Sequence, residues 1–368
     1  MKLLHIADLH LGKRVLEAPM IEDARAVLGQ IRDIAITENV EAVLIAGDVY
    51  DRPVPPIEAV ELFSDFLTSL VKVGIKVLAI AGNHDSPERL GFCGDVLSAG
   101  GVHIAGACRG KPETVVLQGN ERVAVHMISF ARTAALRPYL QGEIETLSDA
   151  MSAVLTSVDR TVADRHVLLL HAFVAGGISS DSEMDIVGTA QGLSTELFSG
   201  FDYVALGHLH GPQTVGENIR YAGSPLKYSF SEVHHHKSAT LISLEPGTAA
   251  SWQTIPLQAP HDMREVRGAL TELMQMSYSE DYIRAIVTDE EVAPDARNAL
   301  QTVFPNLLRF TIENTSTHFE EDVSPADSVE TRDPLSLFAE FYEKQNQKEP
   351  DEARLAMMKK LLMEEVEE

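Results

Sequence analysis

Five short apolar runs, each ending in a polar cluster, constrain the fold of this chain more than any other feature. They are LLHIAD at 3–8, AVLIAGD at 42–48, KVLAIAGNHD at 76–85, HVLLLH at 166–171 and YVALGHLH at 203–210. Continuous apolar runs of this length are typical of strands that are buried on both faces of a sheet. Because ligands gather beyond the carboxyl ends of strands in layered α/β sheets, we expect the polar clusters to meet at one edge.

The spacing of these runs predicts more than one domain. Helical patterns at about 21–38 and 57–73 lie between the early runs and predict an α/β domain over residues 1–250. A second, smaller α/β domain is predicted over residues 251–320. Its expected elements are strands at 252–257, 282–288 and 307–313 and helices at 264–275 and 294–303.

The last part of the chain, 321–368, is interpreted as an acidic linker followed by two amphipathic helices. Asp333 and Pro334 are typical of an N-cap and a first helical residue, and another helix follows Pro350. The two apolar stripes are Leu335, Phe338, Phe341 and Tyr342, and then Leu355, Met358, Leu361 and Leu362. Short amphipathic helices of this kind favour docking onto a partner protein.

The charge of the chain excludes broad, nonspecific coating of a polyanion. Thirty basic and 55 acidic side chains give a net charge of −25, which repels nucleic acid at long range. The charge is uneven, because residues 319–368 hold 15 acidic and 6 basic residues. Five basic residues in loops near the polar clusters are candidates for contacts to a phosphate backbone: Lys13, Arg14, Arg52, Arg132 and Lys227.

The N-terminus and the cysteines predict a cytoplasmic protein. His5 and Asp8 interrupt the first apolar run before it is long enough for a signal peptide or a membrane span. Cys93 and Cys108 are the only cysteines, so a disulfide framework is not expected.

The polar clusters together predict a site for two divalent metal ions. In chain order the proposed ligands are Asp8, His10, Asp48, Asn83, His171, His208 and His210. Carboxylate, imidazole and amide oxygen in this mixture favour Mn, Fe or Zn over Mg or Ca. Two ions about 3.5 to 4 Å apart need a bridging carboxylate and can clamp the attacking and leaving oxygens of a displacement at phosphorus. Asp48, central in the set, is the expected bridge.

His84 and Asp85 are predicted to act beside the metal ions. His84 follows the proposed ligand Asn83 in GNHD, so its side chain is expected to point into the space of a bound phosphate. Asp85 is either the group that orients the ring of His84 or a partner of a backbone amide. Both interpretations remain open from the residues alone.

These motifs, DLH, GDVYD, GNHD, a lone His and GHLH in this order, resemble the calcineurin-like metallophosphoesterase family. The start MKLLHIADLHLGK, the stretch AGSPLKYSFSE at 222–232 and the tail PLSLFAEFY are similar to its DNA-nuclease branch, whose bacterial members work with an SbcC-type ATPase. The resemblance covers nearly the whole chain. It implies a four-layer αββα phosphoesterase domain, a small capping domain that helps to select DNA, and C-terminal helices that bind the base of the ATPase's coiled coil.

The resemblance also implies an activity and a role for each matching residue. It assigns one metal to Asp8, His10, Asp48 and His210 and the other to Asp48, Asn83, His171 and His208, with His84 acting on the phosphodiester without binding metal. The implied activities are 3′-to-5′ double-strand exonuclease and single-strand or hairpin endonuclease with Mn²⁺, in DNA end processing, repair, recombination and replication. Asp51 stands where archaeal and eukaryotic relatives often have histidine, and in this it resembles the bacterial branch.

Other interpretations are compatible with parts of this pattern. Taken alone, Asp8 or His171 is more often a capping carboxylate or a satisfied core histidine, and only the ordered set favours a metal site. The same ligands suit a phosphoesterase that acts on a nucleotide, a phosphoprotein or a small phosphodiester, and a vestigial site suits a noncatalytic scaffold for an ATPase. The run His234–His236 is interpreted as a solvated turn outside the site.

The helix at 57–73 has more apolar surface than one core-facing stripe requires. Its expected core stripe is Val60, Phe63, Leu67, Leu70 and Val71. Leu62 and Phe66 add apolar surface beside that stripe, which indicates either a deeply buried helix or a homodimer seam formed with the region from Leu90 to Leu97. The family resemblance favours the homodimer.

Overall fold

The computed structural model describes residues 1–183 and 192–313 and, beyond them, residues 335, 338, 339, 342, 350, 351 and 354–359. The chain divides into two compact units, Met1–Met263 and Arg264–Glu368. Within the described residues, no helix is long and apolar enough to cross a membrane.

Fourteen strands belong to the first unit. They are β1 Lys2–Ile6, β2 Arg14–Val15, β3 Ala18–Pro19, β4 Ala42–Ala46, β5 Lys76–Ile80, β6 Val102–Ala105, β7 Glu113–Leu117, β8 Val123–Ile128, β9 Arg165–His171, β10 Tyr203–Gly207, β11 Gln213–Gly216, β12 Ile219–Tyr221, β13 Ser238–Ser243 and β14 Ser251–Pro256. The five apolar runs are thereby confirmed as the strands β1, β4, β5, β9 and β10.

Two six-stranded mixed sheets form the centre of this unit. Their strand orders are β14-β13-β1-β4-β5-β6 and β11-β12-β10-β9-β8-β7. The strands β1, β4, β5 and β6 are parallel, as are β8, β9, β10 and β12. One buried cluster contains Leu3 and Leu44 of the first sheet with Leu169 and Tyr203 of the second. The two sheets therefore pack face to face, with the main core between them.

Helices cover the outer faces of both sheets. The helices of the first unit are α1 Ile21–Thr37, α2 Ile57–Val71, α3 Pro87–Leu90, α4 Gly94–Ser98, α5 Thr133–Leu136 and α6 Leu147–Thr156. α2 packs on β5 and against α1, while Met151 and Val154 of α6 cluster with Leu168 and Leu170 of β9. The side chains of β9 alternate between the two layers, as period-2 geometry requires. The four-layer αββα arrangement is confirmed.

The strand at 252–257 does not begin the second domain. β14 pairs along its whole length with β13, from Ser238 opposite Pro256 to Ser243 opposite Ser251. A short connection after Leu244 returns the chain as an antiparallel hairpin, because two strands joined so closely pair with each other. The first unit therefore extends to Met263 and not to residue 250.

The second unit is built on a three-stranded sheet. Its elements are β15 Met263–Gly268, α7 Leu270–Leu273, β16 Tyr282–Val287, α8 Ala296–Gln301 and β17 Leu307–Ile312, with strand order β15-β16-β17. Its core joins Ile283 and Val287 of β16 to Leu300, Phe304 and Leu307.

The expected helix at 264–275 is wrong over its first half. Residues Met263–Gly268 form an edge strand, and the helix begins only at Leu270. The buried residues Met263, Val266 and Leu273 are spaced like one face of a helix, which explains the prediction. Pairing with β16 overrides that periodicity, since local propensity yields to tertiary contacts.

The core stripe predicted for α2 faces the wrong way. Its buried residues are Ala59, Leu62, Phe63, Phe66 and Leu70. Val60 is 44% exposed, and Leu67 and Val71 are partly exposed. Because α2 is apolar over most of its circumference, the sequence does not say which side the sheet takes. The sheet takes the side of Leu62 and Phe66, so a different apolar surface is left outside.

The predicted C-terminal helices lie largely outside the described residues, including Phe341, Leu361 and Leu362. Among the described ones, Leu335, Phe338 and Tyr342 and the stretch 354–359 are helical.

Candidate metal centre

The polar clusters meet at one end of the two facing sheets. Asp8, Asp48 and Asn83 follow the carboxyl ends of β1, β4 and β5, while His171 ends β9 and His208 follows β10. Ligand atoms of Asp8, Asp48 and His171 lie within 4.8 Å of one another. The predicted meeting of the clusters at a single edge is therefore what the chain forms.

Backbone hydrogen bonds join the first two loops of the centre. The N–H of Asp8 donates to Gly47 O at 3.0 Å, and the N–H of His10 donates to Asp48 O at 2.9 Å. Asp8, His10 and Asp48 have φ values of 55°, 41° and 48°, in the left-handed region that side chains other than glycine seldom adopt. Such strain persists where surrounding contacts hold it and is concentrated at functional sites.

Close packing of the two sheets at this end requires glycine at two positions. A Cβ on Gly207 would lie 1.8 Å from the carbonyl oxygen of Ala46, and one on Gly47 would lie 2.3 Å from Nδ1 of His171. The glycines that precede Asp48 and His208 therefore let the ends of β4 and β10 approach each other.

Around His171, hydrogen-bond acceptors face one another. Its Nδ1 lies 2.8 Å from the carbonyl oxygen of Ala46 and must donate to it, so Nε2 of the neutral ring carries a lone pair. That Nε2 lies 2.8 Å from Oδ1 of Asn83 and 3.5 Å from Oδ2 of Asp48. Burial lowers the pKa of His171, which keeps the ring neutral. Three converging acceptors without a proton between them fit a cation.

The rings of His10 and His210 form the neighbouring part of the centre. Their Nε2 atoms are 3.1 Å apart, and Nε2 of His10 lies 3.7 Å from Oδ2 of Asp48. Burial, with the charges of His210 and Lys13, holds the pKa of His10 well below its usual value. Within the described residues, the buried Nδ1 of His10 has no hydrogen-bond partner. An orphaned donor and two facing lone pairs again fit a bound cation.

The carboxylates of Asp8 and Asp48 repel each other in the buried centre. Burial first, and then the charge of Asp48, raise the pKa of Asp8 well above its usual value, although the N–H of His208 donates to Asp8 at 2.9 Å. The N–H of His84 donates to Oδ1 of Asp48 at 2.8 Å. Divalent cations remove this repulsion, since an ion becomes the largest local charge.

His84 borders the centre, but Asp85 does not orient it. Nδ1 of His84 donates to the carbonyl oxygen of Asp51 at 2.9 Å, which leaves Nε2 free to exchange a proton. The Asp85 carboxylate instead accepts backbone N–H groups from Val49, Tyr50 and Gly82 at 3.1, 2.9 and 2.9 Å. Of the two interpretations of Asp85, the structure has the backbone partner, because this carboxylate ties the GDVYD loop to the GNHD loop.

Similarity to known proteins bears directly on the family of this chain. Residues 1–212 match the calcineurin-like phosphoesterase family, and residues 259–346 match the type 5 capsule protein repressor C-terminal domain. A Bacillus subtilis protein, named as the SbcD component of nuclease SbcCD, is 36% identical over 70% of each chain. Proteins of that name from Staphylococcus saprophyticus and Staphylococcus epidermidis are 30% and 27% identical, over 87% and 98% of this chain and 88% and 98% of their own.

This chain belongs to the SbcD family of calcineurin-like phosphoesterases. The family chemistry is metal-dependent hydrolysis of phosphoester bonds, and the donors at the strand ends fit the divalent ions that this chemistry uses.

Sequence reasoning missed a group of side chains behind His210 in this phosphoesterase. Glu232 contacts Nδ1 of His210 at 3.1 Å, and Lys237 donates to Glu232 at 2.6 Å. Tyr228 donates to the carbonyl oxygen of Leu9 at 2.5 Å, and its ring lies edge-on to those of His10 and His210. The available signal was the stretch 222–232, which carries both Tyr228 and Glu232.

The basic residues near the motifs of the phosphoesterase fall into two groups. Lys227 donates to Val233 O and pairs with Asp262 at 2.8 Å, and Lys13 pairs with Asp51 at 2.7 Å. Three arginines have exposed positions: Arg14, Arg52 and Arg132. These three arginines remain the best placed of the five to meet a phosphate backbone.

Proposed function

We propose that this protein is a Mn²⁺-dependent DNA nuclease subunit that hydrolyses phosphodiesters with two metal ions. The observation that carries the proposal is the convergence of acceptor atoms from Asp48, Asn83 and His171 with no proton between them. The relatives that share most of the chain's length are named nucleases, which favours DNA over other phosphoesters. The activities proposed are 3′-to-5′ exonuclease on duplex ends and endonuclease on single strands and hairpins.

Seven side chains would hold the two ions. Asp8, His10, Asp48 and His210 would bind one ion, and Asp48, Asn83, His171 and His208 the other, so that Asp48 bridges them. When bound, two such ions neutralise charge on the phosphate and lower the pKa of water to about 7 in favourable sites.

The chain's own contribution to the reaction is to place a proton-transfer group beside the phosphate. His84 is partly exposed at the centre, and its Nδ1–H is fixed on Asp51 O. Nε2 can therefore accept or give a proton at the oxygen of the substrate, which is the role of a general acid or base. Because Asp85 holds the loop and not the ring, its contribution is to keep His84 and Asp48 in register.

The test uses end-labelled duplex and hairpin DNA incubated with the full-length protein in Mn²⁺ or Mg²⁺. Wild type should cleave both substrates in Mn²⁺, and Asp48→Ala should not. His84→Gln should retain bound metal and lose about 10²- to 10⁴-fold in rate, the usual contribution of a positioned acid or base. His103→Gln is the matched control, since His103 is partly buried on β6 away from the motifs.

Two outcomes of that assay would replace the proposal. Rapid hydrolysis of nucleoside monophosphates or small phosphodiesters without cleavage of DNA would make this a phosphoesterase for small substrates. No hydrolysis of any phosphoester, with stable binding to the ATPase, would make it a scaffold.

A homodimer is also proposed, through the surface of α2 that the sheet leaves outside. Val60, Leu67 and Val71 of α2 line a groove of about 820 Å³ together with Phe92 and Val96. Phe92 and Val96 are each 74% exposed, which is unusual for large apolar residues on a surface without a partner. A second copy would cover this groove with the same residues, as an isologous twofold contact requires.

Sedimentation of the untagged protein tests the homodimer. Wild type should sediment as a dimer at micromolar concentration, and Phe92→Glu should sediment as a monomer that still binds metal. Ile36→Glu is the control, because Ile36 is 43% exposed on α1 outside the groove. A wild-type monomer, or a dimer unaffected by Phe92→Glu, would remove the proposal.

The last proposals concern cell compartment and partner. The protein is proposed to be cytoplasmic and to act with an SbcC-type ATPase in DNA end processing, repair and recombination, as its relatives' name favours. Residues 251–320 are proposed to help select DNA, and the helices in 321–368 to bind the ATPase. Truncation after residue 320 should abolish co-purification with the ATPase and leave metal-dependent hydrolysis of a small phosphodiester unchanged.

A further inference from the structure

A buried carboxylate holds the ring of His210. Glu232 ends the 3-10 helix Phe230–Glu232 and is fully buried. Its Oε1 accepts a hydrogen bond from the Ser182 hydroxyl at 2.6 Å and lies 3.1 Å from Nδ1 of His210. The Ser182 hydroxyl lies 2.9 Å from the same Nδ1. Because a buried carboxylate is costly unless its oxygens are paired, these partners determine where Glu232 lies.

Lys237 fixes both Glu232 and the backbone of His210. Its buried ammonium donates to Oε2 of Glu232 at 2.6 Å, to Ser224 Oγ at 2.8 Å and to the carbonyl oxygen of His210 at 2.9 Å. Three protons therefore meet three acceptors, which satisfies the ammonium group completely. The N–H of His210 donates to Glu183, so the ring, the carbonyl and the N–H of His210 are all held.

This arrangement selects one tautomer of His210. An Nδ1 that faces a carboxylate carries the proton, so Nε2 is left with the lone pair. Nε2 points away from Glu232 and lies 3.1 Å from Nε2 of His10, inside the candidate metal centre. A carboxylate behind a metal-binding histidine also increases the basicity of the ring.

We propose that Glu232, held by Lys237, is a positioning residue that presents Nε2 of His210 to a divalent cation. The inference rests on the proposed function of this centre as a metal site and adds a residue that the seven ligands do not include. His171 provides an internal contrast, because its Nδ1 is held by the main-chain carbonyl of Ala46 and not by a side chain. Loss of Glu232 should therefore affect one of two metal sites.

The test is calorimetric titration of chelator-stripped, full-length protein with MnCl₂, combined with the electron paramagnetic resonance signal of free Mn²⁺. Wild type should bind two ions. Glu232→Gln should weaken one of them by about 10- to 100-fold, the usual effect of losing such a partner, and leave the other unchanged. Asp23→Asn is the matched control, since buried Asp23 contacts Nδ1 of His261 at 2.9 Å in the same way.

A double variant separates positioning from folding. Glu232→Gln leaves the Lys237 ammonium without its carboxylate and should lower the thermal midpoint. Adding Lys237→Met removes that buried charge and should restore the midpoint, yet the weakened Mn²⁺ site should stay weak. Recovery of both properties in the double variant, or wild-type affinity for both ions in Glu232→Gln, would overturn the proposal.

The titration does not depend on the substrate. If wild type binds two Mn²⁺ ions but leaves DNA intact, the nuclease proposal fails while the result for Glu232 stands.

Discussion

The two parts of the metal centre are supported in different ways. Behind His10 and His210 stand carboxylate side chains, with Oδ1 of Asp51 3.6 Å from Nδ1 of His10 and Glu232 on His210. Behind His171 stands only the carbonyl oxygen of Ala46. The rings of Phe130 and Phe173 lie 6.2 and 6.4 Å from those of His171 and His208.

This difference teaches where each part can be changed. A side chain can be replaced without moving the backbone, whereas the carbonyl of Ala46 can be disturbed only by moving β4 or β10. The part at His171 is therefore tied to the stability of the sheets, and the part at His10 and His210 can be adjusted separately. The largest effects should come from residues that serve both parts.

Asp48→Asn should disable both parts at once. Oδ2 of Asp48 lies 3.7 Å from Nε2 of His10 and 3.5 Å from Nε2 of His171, so the loss of its charge removes the proposed bridge. Phosphodiester hydrolysis should fall by about a thousandfold or more, or several kcal/mol of barrier. Steady-state rates with Asp23→Asn as control measure this. Near-normal activity of Asp48→Asn would show that the two parts work without a shared ligand.

Gly207→Ala should damage the part at His171 through the backbone. The new Cβ would lie 1.8 Å from Ala46 O, so β10 must move away from β4 and carry the acceptor of His171 with it. We expect a loss of about 3 kcal/mol or more in the free energy of unfolding. Gly29→Ala, in open space on α1, should instead gain up to about 1 kcal/mol. Denaturant unfolding that shows equal stability for both variants would contradict the close approach.

The pH dependence of metal-free protein should reveal the charge that Asp48 shares between the parts. Burial, and then Asp48, raise the pKa of Asp85 to about 7, and the same two causes raise that of Asp8. An acid with a raised pKa in the folded state loses stability as the pH rises from its unfolded value towards its folded value. The stability of Asp48→Asn relative to wild type should therefore increase from about pH 4 to about pH 7, on the order of 1–2 kcal/mol.

Thermal unfolding in a chelator at several pH values measures this difference. A constant difference between the two proteins would show that Asp48 does not destabilise its neighbours. Added Mn²⁺ should stabilise wild type more than Asp48→Asn, since a ligand stabilises only the protein that binds it.

The smallest effect should come from Asp51→Asn, which acts on the part at His10 alone. The carbonyl of Asp51 still holds His84, but the charge near Nδ1 of His10 is lost. One Mn²⁺ site should weaken by about tenfold. Lys13→Met removes the partner of Asp51 at 2.7 Å and keeps the carboxylate, so its Mn²⁺ affinity should not fall. Equal losses in both variants would mean that the salt bridge, and not the carboxylate, supports His10.

Much of the fold and of the centre could be predicted because the signals are local. Each apolar run and its polar end occupy fewer than a dozen residues, so β1 with Asp8 and β10 with His208 were found together. The failures occurred where two segments compete for a partner. The helix expected at 264–275 is half strand, and β14 belongs to the first sheet, because pairing between strands depends on residues far along the chain.

The sequence by itself determined the ligand set, since strand ends at one edge of a sheet bring together whatever side chains follow them. The tertiary structure alone decided how those ligands are held and which apolar face of α2 stays outside. Glu232 and Lys237 flank a run that the sequence predicts to be a solvated turn, yet the fold buries both against His210. A buried charge is stable only beside partners that folding supplies, and no local pattern records those partners.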